Sequence, residues 1–195
     1  MSIVSIAVIV TAYALGCIAV GYYLVRWRTG KDLHEVASGA TGGRNAGRVL
    51  GRGGAVLTVL ADIVKGMIAV GIARTFQLEA RTMILAMLAV VIGHIWPVQL
   101  RFKGGKGLSP AFGALVVFDY RVALAVTLIA VPLFFIGGRK MLYFLLGIGS
   151  CPLIAYLFSY EWDIVAGLTL MIAIIYYAHR DNIRTLLQAR AEARR

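Results

Sequence analysis

The chain has 195 residues, is 60% hydrophobic, and carries twenty Lys and Arg against nine Asp and Glu, a formal net charge of +11. A water-soluble domain is closer to half apolar, so this composition excludes an ordinary soluble fold and points to a lipid bilayer. The basic residues lie in loops and in the tail without interleaved stacking aromatics, which excludes a nucleic-acid surface and assigns the charge to topology and anionic lipid.

In chain order, Ile3 to Val25 reads as a first span. No basic stretch precedes it and no small-residue cleavage site follows, so it is expected to be retained and not removed as a signal peptide. Gly16 and Gly21 within it predict close helix contact. A polar loop rich in Gly and Arg runs from Arg26 to Arg52. The second apolar run, Gly53 to Ile72, is interrupted by Asp62 and Lys65, and the third covers Thr82 to Val98. Leu108 to Phe118 and Val122 to Ile136 are short for full spans, which predicts tilt, re-entry or extension by interfacial residues. Met141 to Phe158 and Ile164 to Ala178 follow, and a polar, basic tail begins at His179. Cys17 and Cys151 both fall in apolar segments, away from any metal-binding spacing, and read as small buried hydrophobes.

The predicted fold is an all-α integral membrane protein of about seven transmembrane helices, forming a single domain over residues 1–195. With seven spans, only Arg74, Arg81 and Arg121 fall on one side, and Lys65 lies within a span. The other Lys and Arg residues face the opposite side, which predicts the N-terminus outside and the C-terminus in the cytoplasm. Every glycine-plus-basic loop then falls on the cytoplasmic face.

Three segments could carry chemistry. The stretch Gly93-His94-Ile95-Trp96-Pro97-Val98-Gln99-Leu100-Arg101-Phe102-Lys103-Gly104-Gly105-Lys106-Gly107 breaks a helix at Pro97 and packs glycine and lysine before a new apolar run. Glycine lets backbone approach an anion, lysine supplies mobile charge, and a helix N-terminus near Leu108 adds its dipole. The spacing is not that of a nucleotide-binding P-loop. An anion cradle and a flexible basic surface loop both fit this stretch. In the first loop, Ser38 and Asn45 offer hydrogen bonds, and Arg44 and Arg48 offer bidentate forks for phosphate; a solvated linker is the alternative. His179 and Asn182, three apart, share a face if the last helix continues, with a basic interfacial belt as the alternative. Asp62 and Lys65 can pair within the bilayer, pinning helix packing more readily than performing catalysis. His94 reads as a hydrogen-bonded structural histidine. Neither a Ser/His/Asp triad nor a metal cluster is spaced in the sequence, so the residues point to a site that holds anions with few general bases.

Together these segments resemble the bacterial acyl-phosphate:glycerol-3-phosphate acyltransferases, the PlsY family. Gly93-His94, Pro97 and Phe102-Lys103-Gly104-Gly105-Lys106-Gly107 look like its central motif. Asp32-Leu33, Ser38-Gly39, Gly42, Asn45, Arg48 and Leu50-Gly51 match the first motif in register. Asp62, Lys65 and Gly66 match its second helix, and His179-Arg180, Asn182-Ile183 and Leu186 match the third motif. The resemblance covers nearly the whole chain.

It implies a seven-helix enzyme of the bacterial inner membrane, with its active site on the cytoplasmic face. That enzyme moves a fatty acyl group from acyl phosphate to the sn-1 hydroxyl of glycerol 3-phosphate, the first step of phospholipid synthesis, without metal or organic cofactor. Implied catalytic residues are Lys106, Ser38, His179 and Asn182. Implied phosphate-binding residues are Arg48, Lys106, Gly104, Gly105, Gly107 and Asn45, with Asp62, Lys65 and His94 in support. The implied partners are both substrates, membrane lipid and the soluble enzyme that makes acyl phosphate, and nucleic acid is not among them. The chain departs from the pattern at Ala37, Ala40 and Arg44, where the family has Gly, Asn and Thr, and in the serine-free segment 139–149. A divergent paralogue acting on another phosphorylated polyol, and a non-enzymatic anion carrier, are the alternatives.

Overall fold

The computed structural model describes residues 1–136 and 140–192, and among these the regular structure is helical. It divides into two compact units, Met1–Phe118 and Asp119–Arg195. The first holds α1 (Ile3–Cys17), α2 (Val20–Thr29), α3 (Gly43–Thr75), α4 (Ala80–Ile95) and α5 (Leu108–Phe118). The second holds α6 (Tyr120–Ile136), α7 (Lys140–Ile148), α8 (Cys151–Leu157), α9 (Trp162–Ala178) and α10 (Arg180–Glu192). Three segments, Ile3–Thr29, Gly43–Thr75 and Ala80–Leu100, are apolar and long enough to cross a bilayer.

Helix α3 is built inside out relative to a soluble helix. Its buried face carries Thr58, Asp62, Lys65 and Gly66. Its exposed face carries Val56, Leu57, Leu60, Val64 and Ile68. That arrangement suits lipid outside and a few satisfied polar groups inside.

Small residues set the contacts in the first unit. A side chain on Gly66 would strike the Pro110 carbonyl of α5 at 2.1 Å, and one on Gly113 the Ile63 carbonyl at 2.0 Å. Gly16 and Gly93 give α1 and α4 the same intimacy. The close contact expected at Gly16 is therefore present, whereas Gly21 abuts the carbonyl of Thr41 in the first loop and not another helix backbone.

The elements depart from the sequence expectation in three places. The first apolar run is not one helix: it breaks at Ile18 and Ala19, between α1 and α2. Helix starts inside the first loop, at Gly43, and reverses at Gly51, whose φ of 71° interrupts α3. Residues 43–50 fold back, so that Gly43 and Gly47 lie against Ala55. The run from Met141 to Phe158 is likewise split, α7 ending before the turn at Gly149 and Ser150. Of the serine-free segment, Arg139 lies outside the described residues, and the rest belongs to α7 and that turn.

In the second unit, Asp119 caps α6. Its Oδ1 accepts from the Arg121 N–H at 2.8 Å, while Oδ2 accepts from Arg121 Nη2 at 2.8 Å and from the Tyr160 hydroxyl at 2.7 Å. The Arg121 guanidinium, helped by Tyr160, holds this carboxyl down at about 2. A carboxyl so depressed contributes stability above its unfolded pKa, and that contribution is lost as pH falls toward the folded value. Asp119→Asn is therefore expected to lower the melting temperature in detergent at pH 6, with the gap to wild type closing between about pH 4 and pH 2. An equal gap across that range would contradict the assignment.

Candidate active site

The glycine loop grows out of the end of α4. The Trp96 carbonyl accepts from Tyr13 Oη at 3.0 Å, and Pro97 opens a 3₁₀ turn over Val98–Leu100. Arg101 and Phe102 then both take left-handed backbone, with φ of 52° and 59°, which turns the chain back on itself. Phe102 N–H donates to the Pro97 carbonyl at 3.0 Å. Gly104 N–H donates to Ile95 O at 3.0 Å and Gly105 N–H to His94 O at 2.9 Å. The loop therefore satisfies the last carbonyls of α4, groups that every helix end leaves orphaned.

The first loop is built around Asp32 and Asn45. Asp32 Oδ1 accepts from the His34 N–H at 2.8 Å and faces His34 Nδ1 at 3.0 Å. The N–H bond first, then the imidazole, holds the Asp32 carboxyl below the ordinary range. Asn45 is buried and donates through Nδ2 to the Leu33 and Val36 carbonyls, at 3.1 and 2.9 Å. Arg48 Nη1 donates to Asn45 Oδ1 at 3.4 Å. Leu33, Val25 and Ala46 close a small apolar core beneath.

Two bonds sew these loops together. Thr41 N–H donates to the Gly104 carbonyl at 3.2 Å, and His34 Nε2 meets the Lys103 carbonyl at 2.7 Å. The first and central segments singled out in the sequence thus form one continuous edge. Exposed Ser38 and Arg48 belong to its first-loop side and partly buried Lys106 to its glycine side.

The chain as a whole is similar to known proteins. A family model described as glycerol-3-phosphate acyltransferase matches residues 6–189. The chain belongs to that family. It is 38% identical to glycerol-3-phosphate acyltransferase 1 of Desulfitobacterium hafniense, over 98% of this chain and 95% of the relative. It is 34% identical to the protein of the same name from Deinococcus radiodurans, over 100% of this chain and 97% of the relative. The crystal structure of PlsY, an integral membrane glycerol 3-phosphate acyltransferase in its glycerol 3-phosphate form, superposes with a TM-score of 0.88. The two are 32% identical over 95% of this chain and 93% of PlsY. The lysophosphatidic acid form of PlsY gives a TM-score of 0.84.

Three residues expected at the phosphate have amides already bonded within the chain. The amides of Gly104 and Gly105 point into the end of α4, so those N–H groups are not donors to an anion. The residues must be glycine for space: an added Cβ would lie 2.1 Å from His94 O at Gly104 and 2.0 Å from His94 Nε2 at Gly105. Asn45 is likewise a brace, since both of its donors already serve backbone carbonyls. Gly107, with φ of 84°, precedes α5 and accepts from Ala111 N–H at 3.0 Å.

Beneath the edge lie Asp62, Lys65 and His94, all buried. Lys65 Nζ donates to Gly16 O at 3.1 Å, Ile18 O at 2.9 Å and His94 Nδ1 at 2.9 Å. Those three bonds use every proton of an ammonium. Asp62 Oδ1, 2.8 Å from Nζ, therefore serves as its charge partner without a hydrogen bond of its own. The expected helix-pinning ion pair is present, and it extends to His94 and to the break between α1 and α2.

His179 and Asn182 belong to the second unit. His179 is buried at the junction of α9 and α10, and its Nδ1 donates to Ile175 O at 2.8 Å, leaving Nε2 as the nitrogen for other partners. Asn182 is half-buried on the first turns of α10. The helix does continue across the junction, as Ile183 N–H donates to His179 O at 3.0 Å.

Among the departures, Ala37 takes a φ of 44°, a conformation that costs a non-glycine residue about 1–2 kcal/mol and explains why glycine suits this position. Arg44 is exposed on the first turn of α3. His34, Thr41 and Gln99 escaped the sequence reading. Asp32 followed two residues later by a polar side chain is the turn signal that could have found His34. Nothing in the spacing points to Thr41 or Gln99.

Asn45→Asp keeps the size of the brace and removes both donors. It is expected to destabilise the chain by on the order of 2 kcal/mol or more and to open residues 31–42 to protease, read by melting in detergent and by cleavage mapping. An unchanged melting temperature with only a raised KM would restore Asn45 as a ligand.

Proposed function

We propose that this protein transfers a fatty acyl group from acyl phosphate to the sn-1 hydroxyl of glycerol 3-phosphate, giving lysophosphatidic acid and inorganic phosphate. The observation that carries this is the joined edge of the first and glycine loops, in a chain that matches solved PlsY over nearly its full length. The hydroxyl oxygen bonds to the acyl carbon, the carbon–oxygen bond to phosphate breaks, and the hydroxyl proton leaves with the phosphate. Acyl phosphate is already activated, so the protein has to bring two anions together, orient the hydroxyl and stabilise charge on the departing group.

Arg48 and Lys106 are proposed to hold phosphate, the first as a bidentate fork and the second as a point charge. Ser38, His179 and Asn182 are proposed to orient the substrates, and Gly107 lets the backbone approach them at the start of α5. The proposed acyltransferase domain covers residues 1–195. Seven crossings follow if α1 with α2, and α7 with α8, each form one. The N-terminus is then outside, and the C-terminus and active site lie on the cytoplasmic face of the bacterial inner membrane, as the one-sided distribution of Lys and Arg supports. The soluble enzyme that makes acyl phosphate is the proposed partner.

Purified protein given acyl phosphate and labelled glycerol 3-phosphate is expected to form labelled lysophosphatidic acid. Lys106→Ala is expected to lower turnover at least about a hundredfold. Labelled product from other phosphorylated polyols alone would assign a paralogue. Uptake into proteoliposomes without product would make it an anion carrier.

A further inference from the structure

Beneath the joined loops lies a charged network that no reaction step in the preceding section uses. Three backbone carbonyls are freed where the first apolar run breaks at Ile18 and Ala19. Lys65 takes two, those of Gly16 and Ile18, and Gln99 Nε2 donates to the third, that of Cys17. Unpaired carbonyls are costly in a bilayer, and these two side chains satisfy the ones at the break. Lys65 also reaches across to His94 on α4.

His94 has a second face. Its Nδ1 accepts from the ammonium, which puts the ring proton of the neutral imidazole on Nε2. Nε2 faces Gly105 so closely that a methyl group there would overlap it, at 2.0 Å. The backbone of His94 and the neighbouring Ile95 meanwhile accept the Gly105 and Gly104 amides. One residue thus holds the loop from below by its ring and from behind by its carbonyl, immediately before Lys106.

We propose that Asp62, Lys65 and His94 are positioning residues for the glycine loop: the Lys65 ammonium ties the broken α1–α2 carbonyls to the imidazole that forms the floor under Gly105, and so fixes where Lys106 stands. Asp62 keeps the ammonium charged and seated. None of the three touches substrate. The position of Lys106 is set by buried helices and not by the exposed 3₁₀ turn that leads to it. This inference rests on the acyl-transfer reading for its kinetic consequence, but not for its structural one.

The test uses the full-length protein in nanodiscs, with hydrogen exchange and steady-state kinetics measured side by side. The paired variant Asp62→Asn with Lys65→Met removes both charges together. His94→Asn leaves the ammonium an acceptor and removes the floor, so it carries the test if the paired variant does not fold. Both are expected to speed amide exchange in residues 102–107 at least about tenfold while α3 and α4 exchange as in wild type. Both are expected to lower kcat/KM for glycerol 3-phosphate at least about tenfold. Wild-type exchange and rate in His94→Asn would overturn the proposal. So would exchange that rises uniformly across residues 1–118, which marks a stability role alone. A wild-type protein that forms no lysophosphatidic acid would strike the reaction and leave the exchange result to decide this inference.

Discussion

The ammonium of Lys65 is the constraint on which the first unit depends. An unpaired charge this deep in a bilayer would be prohibitive, and removing one partner of such a buried pair typically costs 3–5 kcal/mol. Here every donor has an acceptor and the charge has Asp62 at 2.8 Å. The ammonium thereby makes possible a broken helix that would otherwise leave carbonyls bare in lipid. It also fixes the rotation of α4 through His94 and, through His94, the path of the glycine loop.

From that fixed point outward, the fold uses glycine as spacing more than as an anion cradle. Gly66 and Gly113 let α5 lie against α3, and Gly16 and Gly93 let α1 lie against α4. Gly104 and Gly105 let the loop rest on His94. Close backbone contact is how membrane helices associate where no hydrophobic driving force separates them from lipid. Arg48 and Lys106, the residues proposed to hold phosphate, belong to an edge whose shape the backbone bonds decide.

Much of this was legible in the sequence, for identifiable reasons. Apolar runs of bilayer length marked the helices, and Asp62 and Lys65, three apart in one of them, marked a buried pair. The family resemblance rested on the motifs around Ser38, Lys106 and His179, and the match over residues 6–189 bears it out. The break at Ile18 was not legible, because its cause lies in Lys65 and Gln99, 47 and 82 residues from the carbonyls they serve. The role of Asn45 was hidden for the opposite reason. An exposed-looking polar residue in a basic loop suggests a ligand, and only the burial of its amide against Leu33 and Val36 reveals a brace. Gly104 and Gly105 misled in the same way, since composition cannot tell which way an amide points.

The proposed acyl transfer asks for two phosphates held near one another. For that proposed reaction a point charge and a fork suffice when they are well placed, because acyl phosphate is already activated. The most direct measurement is a structure of this chain with glycerol 3-phosphate bound in a lipid phase. The result expected is the phosphate between Arg48 and Lys106, with the bonds from Thr41 to Gly104 and from His34 to Lys103 intact. Phosphate bound elsewhere, or held there with the two loops drawn apart, would contradict the joined edge as the anion-holding element.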